Sequence, residues 1–398
     1  MDHPPQFDCR DDGGRGMTPL QAPIVQGWCP GALRPMRSGD GLVVRVRPHG
    51  GRLTPDQARG TARLAALHGN GLIDLSNRAN VQLRGVTEAS HPALIDGLRV
   101  LDLIDADATD EARRNIIVSP FWTEADGSQE IAAALAQALT APDAPALPSK
   151  FGFVLDTAAQ PVLRDVSADI WLESGTEGLL LATQSPLAKP VTPETAVAEA
   201  IALAHWFIAQ GGVTDGRGRM ASLLKHHSLP EGFTTPRLPA AAKPTPGTQP
   251  QGQLVGFEFG QMNAETLAAL ADLGPLRVTP WRMLLIEGLI EAPQIPGLIT
   301  RADDPMLRVI ACTGAPGCLQ ALAATRPLAR ALAPKLTETL HVSGCAKGCA
   351  HPAAVPLTLT ATPTGFALIR NGTASGTPLR EGLSAADLTE TPILTEIP

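Results

Sequence analysis

Four of the six cysteines in this 398-residue chain fall between Cys312 and Cys349, and their spacing limits what the chain can fold into. Cys312 and Cys318 are separated by five residues, and Cys345 and Cys349 by three. Each pair sits in a glycine-bearing stretch, Thr-Gly-Ala-Pro-Gly in the first and Ala-Lys-Gly in the second. Small residues let a backbone curl around an inorganic core and aim amide N–H groups at its sulfurs. Four thiolates match a [4Fe–4S] cube. Structural zinc is the main alternative, but its ligand pairs usually enclose two to four residues, and five fit poorly. Four separate packed thiols are the third reading, since free cysteine is often a core residue.

Composition narrows the context. Formal net charge is -7, 44% of residues are hydrophobic and 18% are charged. A chain like this buries a real core and lacks the basic surface that a nucleic acid or an anionic membrane needs. Ala196 to Ala209 is the most apolar stretch, too short and too interrupted to span a bilayer. Asp2, Asp11 and Asp12 precede any apolar run, the reverse of a secretory signal. The expected compartment is therefore the cytoplasm, where clustered cysteines point to metal rather than to disulfides. Cys9 is expected to be idle. Cys29, in the turn Trp-Cys-Pro-Gly, is read as a packed thiol.

The chain repeats a pattern. Gly41 to Arg47 alternates as a half-buried strand. Thr54-Pro-Asp-Gln57 starts a helix, with Thr54 as cap and Pro55 at the first position. Strands follow at Leu72 to Leu75 and Asn80 to Val86, then a helix from His91 to Leu103. About 200 residues later the order returns: a strand at Leu254 to Phe259, a helix capped by Asn263, and strands at Leu276 to Val278 and Arg282 to Ile286. The first pattern ends in Arg114-Asn-Ile-Ile-Val118 and the second in Arg308-Val-Ile-Ala-Cys312. Residues 230–250 carry six prolines and little apolar content, so they read as a linker running over the surface.

At the cysteines the chain resembles the nitrite/sulfite reductase iron–sulfur superfamily, over roughly residues 25–370. Asn77-Arg78-Ala-Asn-Val-Gln82 resembles the family's Arg-Gln-x-x-Gln strand, with alanine in place of its first glutamine. Arg114-Asn115 and Leu147-Pro-Ser-Lys150-Phe151 resemble two further motifs, although Ser149 and Gly152 replace basic residues. The resemblance implies an α+β fold: a duplicated unit of a ferredoxin-like half-domain plus a reductase-type α/β cluster domain, in a pseudo-two-fold arrangement. The implied divisions are a mobile segment 1–22, a first half 23–112, a first cluster-type domain 113–228 without a cluster, a Pro-rich linker 229–251, a second half 252–303, a second cluster-type domain 304–370 holding the [4Fe–4S] cluster, and a tail 371–398. Arg78, Gln82, Arg114, Asn115 and Lys150 then face tetrapyrrole carboxylates, and Cys312, Cys318, Cys345 and Cys349 hold the cluster.

Within the superfamily, Gly27 to Gly31, Leu75 to Gly85, Lys150 to Phe153, Thr279 to Arg282 and Ser343 to Cys349 are similar to the precorrin-3B synthases of aerobic cobalamin biosynthesis. That similarity implies an O2-dependent monooxygenase that hydroxylates precorrin-3A at C20 and closes a γ-lactone. It also implies one mononuclear non-haem iron beside the cluster, and no sirohaem. No Gly-x-Gly-x-x-Gly follows a strand, so electrons are expected from NADH through a separate reductase. The chain is expected to act as a monomer.

Arg45, Arg47 and Arg84 join Arg78, Arg114 and Lys150 as candidates for a cationic cavity, because arginine pairs bidentately with carboxylate. None of the nine histidines forms a recognised iron triad. His226-His227 reads as a solvated pair, and His341 and His351 as satisfied histidines flanking the second cysteine pair. Two alternative functions stay open: a sirohaem-dependent nitrite or sulfite reductase, which keeps more cations around its anion, and a non-catalytic electron carrier, which needs no duplicated domain.

Overall fold

The structure is a computed structural model that describes residues 30–390. The expected mobile segment 1–22, Cys9, Cys29, and all but the last two residues of Gly27 to Gly31 lie outside the described residues, as do residues 391–398.

The first half contains β1 (Met36–Ser38), β2 (Gly41–Val46), β3 (Arg52–Leu53), α1 (Pro55–His68), β4 (Leu72–Leu75), β5 (Val81–Val86) and α2 (His91–Val100). Thr54 starts α1 with a full capping box: its Oγ1 accepts from the Gln57 amide at 3.2 Å, and Gln57 Oε1 accepts from the Thr54 amide at 3.0 Å. Next come α3 (Ala108–Arg113), β6 (Ile116–Val118), α4 (Ser128–Thr140), β7 (Phe153–Asp156), β8 (Ile170–Gly175), β9 (Gly178–Ala182), β10 (Leu187–Val191), α5 (Pro193–Ala209), α6 (Met220–Leu223) and β11 (Thr235–Pro236). The second half holds β12 (Gly247–Gln249), β13 (Gly252–Phe257), β14 (Gln261–Asn263), α7 (Ala264–Ala271), β15 (Leu276–Val278), β16 (Met283–Glu287) and β17 (Leu298–Ile299). Last are β18 (Val309–Ala311), α8 (Arg326–Leu332), β19 (Leu340–Ser343), β20 (Val355–Thr362), β21 (Gly365–Gly372), β22 (Arg380–Leu383) and α9 (Ala385–Glu390).

The two halves trade edge strands. One antiparallel sheet runs β1-β2-β5-β4-β14, and its counterpart runs β12-β13-β16-β15-β3, with β17 also on β13. Thus β14 of the second half closes the first sheet, and β3 of the first half closes the second. The register is equivalent: Met262 faces Ile73 as Leu53 faces Leu276. One apolar core joins both sheets, with Leu53, Ala58, Leu267, Leu270 and Leu276 in it. The β4–β5 and β15–β16 turns also match. Ala79 and Arg282 both adopt positive φ, and the Ser76 and Thr279 hydroxyls each accept from two turn amides.

Charge breaks this symmetry. Arg52, Arg277 and Glu287 form one partly buried edge network, with Arg52 Nε 2.7 Å and Arg277 Nε 2.8 Å from Glu287. The positions equivalent by register are Gln261, Asp74 and Arg84, where the Arg277–Glu287 pair has its signs reversed and the outer arginine becomes a neutral glutamine. The two networks also face different domains: Arg277 donates to Pro120 O and Trp122 O of the first α/β domain, whereas Arg84 and Asp74 reach Gly317 O and Arg326 of the second.

The two remaining sheets share one topology. In the order β6-β7-β8-β9-β10-β11 the first three strands are parallel and the rest antiparallel, and β18-β19-β20-β21-β22 follows the same rule. The Ser119 amide bonds to Leu155 O as the Cys312 amide bonds to Val342 O, so Ser119 occupies in the first copy the place of the first cysteine.

The Pro-rich linker does not run free over the surface. Its prolines prevent a long ladder, but β11 pairs with β10, Pro246 is buried, and Arg237 donates to fully buried Glu173 at 2.7 and 2.6 Å. The tail 371–398 reads from sequence as weakly structured except at Leu379 to Leu388, and β22 and α9 fall in and next to that stretch. Among the described residues, no helix is long and apolar enough to cross a membrane.

Candidate functional site

Parallel strands place the four cysteines. Cys312 and Cys318 lie in the loop after β18, and Cys345 and Cys349 in the loop after its neighbour β19. Both loops leave the carboxyl edge of the parallel strands, where α/β sheets bind ligands. Thr325 Oγ1 donates to Cys312 O at 2.7 Å, the Leu322 amide ties the first loop to Gly344 O at 2.8 Å, and Ser343 Oγ donates to Cys345 O at 2.7 Å. The Gly344 amide points at Cys312 Sγ, 3.2 Å away. At Gly314, φ is +67° and a Cβ would lie 2.8 Å from the Thr325 amide nitrogen, so only glycine allows the loop to curl here.

All four thiols are free, with Cys349 exposed and the others partly buried. Burial by the surrounding protein pushes the Cys349 thiol up, Lys347 pulls it down, and the Cys345, Cys312 and Cys318 thiols push it up again. The four thiols therefore share one electrostatic neighbourhood. Among the described residues, no group of three or more His, Cys, Asp or Glu side chains gathers tightly enough to hold a single metal ion.

The first half closes this site. The Gly39 amide, Ser38 Oγ and Arg84 all donate to Gly317 O, so the β1–β2 turn docks on the first cysteine loop. Arg84 is held by Asp40 at 2.7 Å and lies 3.4 Å from Asp74. Arg326, at the start of α8, lies 3.9 Å from Asp74, and its buried Nε has no hydrogen-bond partner. Cys312 is among the charges acting on Arg326, although burial acts more strongly and disfavours its cation. Buried guanidinium groups beside free thiols fit an anionic thiolate-bound cluster. A run of alanines before Arg326 hid this role in the sequence.

The residues expected to grip carboxylates divide into two groups. Arg78 donates to Lys150 O and Ser167 Oγ, both at 3.3 Å, while Asn115 Nδ2 donates to Phe151 O at 2.9 Å. Arg78, Asn115 and Lys150 thus gather around one loop, with the Lys150 side chain exposed. Arg219, which the sequence did not single out, joins them through Ser167 Oγ at 3.1 Å and is anchored on buried Asp169 at 2.9 Å. Burial drives the Asp169 carboxyl up, and the charge and hydrogen bonds of Arg219 oppose that rise.

The other group is occupied within the fold. Gln82 accepts from Arg45 at 2.7 Å. Arg114 forks onto Asp105 at 2.6 and 2.9 Å with its side chain buried. Arg47 is buried and donates to the carbonyls of Glu111 and Pro30. These arginines brace loops, because each already faces an acid or a carbonyl. Among the histidines, His226 and His227 are exposed as expected. His341 is not the satisfied histidine expected: it is fully buried, and neither ring nitrogen has a partner.

Comparisons with known proteins agree with this architecture. Residues 34–101 match the nitrite/sulfite reductase ferredoxin-like half domain. A precorrin-3B synthase of Sinorhizobium sp is 31% identical over 396 residues, covering 90% of this chain and 85% of that protein. The beta subunit of the NADPH sulfite reductase of Saccharomyces cerevisiae is 30% identical over 106 residues, 25% of this chain and 7% of that protein. The fold matches the NirA protein of Mycobacterium tuberculosis with a TM-score of 0.56 at 19% identity, over 88% of this chain and 79% of that one. The two trading halves, the paired α/β sheets and the full-length identity together place this chain in the precorrin-3B synthase family, within the nitrite/sulfite reductase superfamily.

Proposed function

We propose that this chain is an oxidoreductase of aerobic cobalamin biosynthesis that converts precorrin-3A to precorrin-3B with O2, by hydroxylation at C20 and closure of a γ-lactone. The observation that carries the reading is the full-length identity to a precorrin-3B synthase, combined with four free thiols at the seam between the first half and the second α/β sheet.

Cys312, Cys318, Cys345 and Cys349 would hold a [4Fe–4S] cluster, which supplies single electrons when bound. The remaining roles belong to side chains. Lys150 is exposed and has no ion pair among the described residues, so its ammonium is available to a substrate carboxylate. Arg78 fixes the Lys150 loop by bonding its carbonyl, and Arg219 and Asp169 buttress the same edge. Asn115 holds the Phe151 carbonyl and so sets where Lys150 projects. Arg84 and Ser38 position the first cysteine loop against the first half.

The overall reaction takes one O2, two electrons and two protons. One oxygen atom enters the substrate and the other leaves as water. The electrons would come from NADH through a separate reductase, and a mononuclear iron would accompany the cluster. Isolated protein is expected to show the broad absorption of a cluster without sirohaem bands. The test is anaerobic incubation of the reduced, cluster-loaded protein with precorrin-3A, followed by O2 and mass analysis. The product should be heavier by one oxygen atom, and failure to gain it with the cluster intact and an electron donor present rejects the reading.

A further inference from the structure

Arg326 sits against the first cysteine loop, and its charge has no role in the binding of substrate. Its backbone follows Thr325, whose Oγ1 donates to Cys312 O at 2.7 Å and lies 4.0 Å from Cys312 Sγ. Its guanidinium faces Asp74 Oδ1 at 3.9 Å. Asp74 Oδ2 faces Arg84 at 3.4 Å, and Arg84 donates to Gly317 O, one residue before Cys318. The backbone of Arg326 thus adjoins one end of the Cys312–Cys318 loop, and a single carboxylate separates its guanidinium from the group that grips the other end.

The two arginines differ in how they are satisfied. Arg84 is forked by Asp40 at 2.7 and 3.0 Å and also donates to Ser38 Oγ at 3.2 Å. The Arg326 side chain is 16% exposed, so water screens it little, and its ion pair with Asp74 is long. Asp74 is also shared, since it accepts from Gln261 at 2.7 Å. The buried Nε of Arg326 has no hydrogen-bond partner, and the ring of Phe259 lies 5.6 Å from the guanidinium.

The first copy of the unit provides a comparison within the same chain. There Ser119 stands where Cys312 does. Gly50 matches Phe259 by register, with φ of +59° and +58°. The helix that meets Gly50 is α4, which opens on Ser128-Gln129, and Gln129 donates to Gly50 O at 3.2 Å. The helix that meets Phe259 is α8, which opens on Arg326. A cation therefore stands at the helix start in the copy that carries thiols, and uncharged residues stand there in the copy that lacks them.

We propose that Arg326 is a positioning residue that sets the reduction potential of the cluster held by the four cysteines. A fixed cation beside a centre that gains negative charge favours the reduced state, and an unpartnered N–H adds to that preference. The potential is raised as a result, which eases entry of each electron from the donor. This rests on the cluster of the proposed function and not on its substrate.

The test is an anaerobic potentiometric titration of the full-length, cluster-loaded protein with dithionite. It is read by the electron paramagnetic resonance signal of the reduced cluster, with iron and sulfide measured in parallel. Arg326→Gln is expected to shift the reduction equilibrium about tenfold towards the oxidised cluster, a fall of about 59 mV for one electron. Arg326→Lys keeps the charge and should stay nearer to wild type. Asp74→Asn removes the carboxylate that offsets Arg326 and should move the potential up, and it decides the matter where Arg326→Gln holds no cluster. An arginine that only props the loop would lower the iron and sulfide content and leave the potential of the remaining cluster unchanged. That result in Arg326→Gln, or in Asp74→Asn where it alone is loaded, overturns the proposal. Wild type that takes up no cluster overturns it together with the cluster assignment. The expected shifts in a protein that adds no oxygen to precorrin-3A uphold the role of Arg326 and reject the substrate reading alone.

Discussion

Replacing Arg237 by alanine should loosen the linker, and the size of the effect follows from its surroundings. Arg237 donates twice to Glu173, whose side chain is fully buried, at 2.7 and 2.6 Å. It also bonds Ser185 O at 3.3 Å and lies 5.7 Å from the Trp171 ring. Removing one partner of a buried pair costs about 3–5 kcal/mol, because the other charge is left behind. Arg164 remains 2.7 Å from Glu173, so the lower end applies, about 3 kcal/mol. That makes local opening roughly 100-fold more frequent. Hydrogen exchange reads it directly at the β10–β11 contact, where the Arg237 amide bonds Pro186 O. Protection there should fall about 100-fold, while protection in β18 to β20 stays unchanged. The double variant Arg237→Ala with Glu173→Gln should recover a large part of the loss, since it removes the stranded charge. Unchanged protection in the single variant, or strictly additive losses in the double, would refute the reasoning.

Three further outcomes are expected. Burial raises the Asp156 carboxyl to about 6, against opposing bonds from Leu163, Val162 and Ser119; its proton is held more tightly in the folded state, so the contribution is fully present below the ordinary value of 3.8 and is lost as pH rises through about 6. That loss is on the order of 3 kcal/mol, and Asp156→Asn should flatten the pH dependence of urea unfolding between those limits; a slope equal to wild type counts against it. Cys345→Ala should abolish the cluster, and full retention of iron and sulfide by analysis would contradict the assignment. Lys150→Gln should weaken precorrin-3A binding several-fold with the cluster spectrum intact, whereas an unchanged affinity would remove Lys150 from the substrate site.

What the sequence revealed depended on how local the signal was. The cysteine pairs and their glycines encode loops of fixed shape, and Thr54 and Asn263 encode helix starts, so these were legible residue by residue. Whether an arginine is available is not a local property. Arg114 looks like Lys150 in a motif, but Asp105, nine residues upstream, neutralises it only after the chain folds. The linker's prolines announced an irregular path correctly, yet gave no sign that Arg237 would reach a buried glutamate. In Leu340-His341-Val342-Ser343 the alternation suggests a strand with one wet face. In the fold that face is covered, with Thr358 and Thr360 also buried. The exchange of β3 and β14 was equally hidden, because two or three residues carry too little pattern to say which sheet they join.

That exchange sets a timetable for synthesis. When the ribosome has delivered the whole first half, its sheet still shows an unpaired edge along β4, and β14 lies almost 190 residues downstream of it. The open edge is a template for wrong partners, including the same strand of a neighbouring nascent chain. Asp74 sits in that edge, and an acidic side chain there discourages such pairing until Gln261 arrives and donates to it. A carboxylate that serves the arginines of the mature site thus also guards the unfinished one.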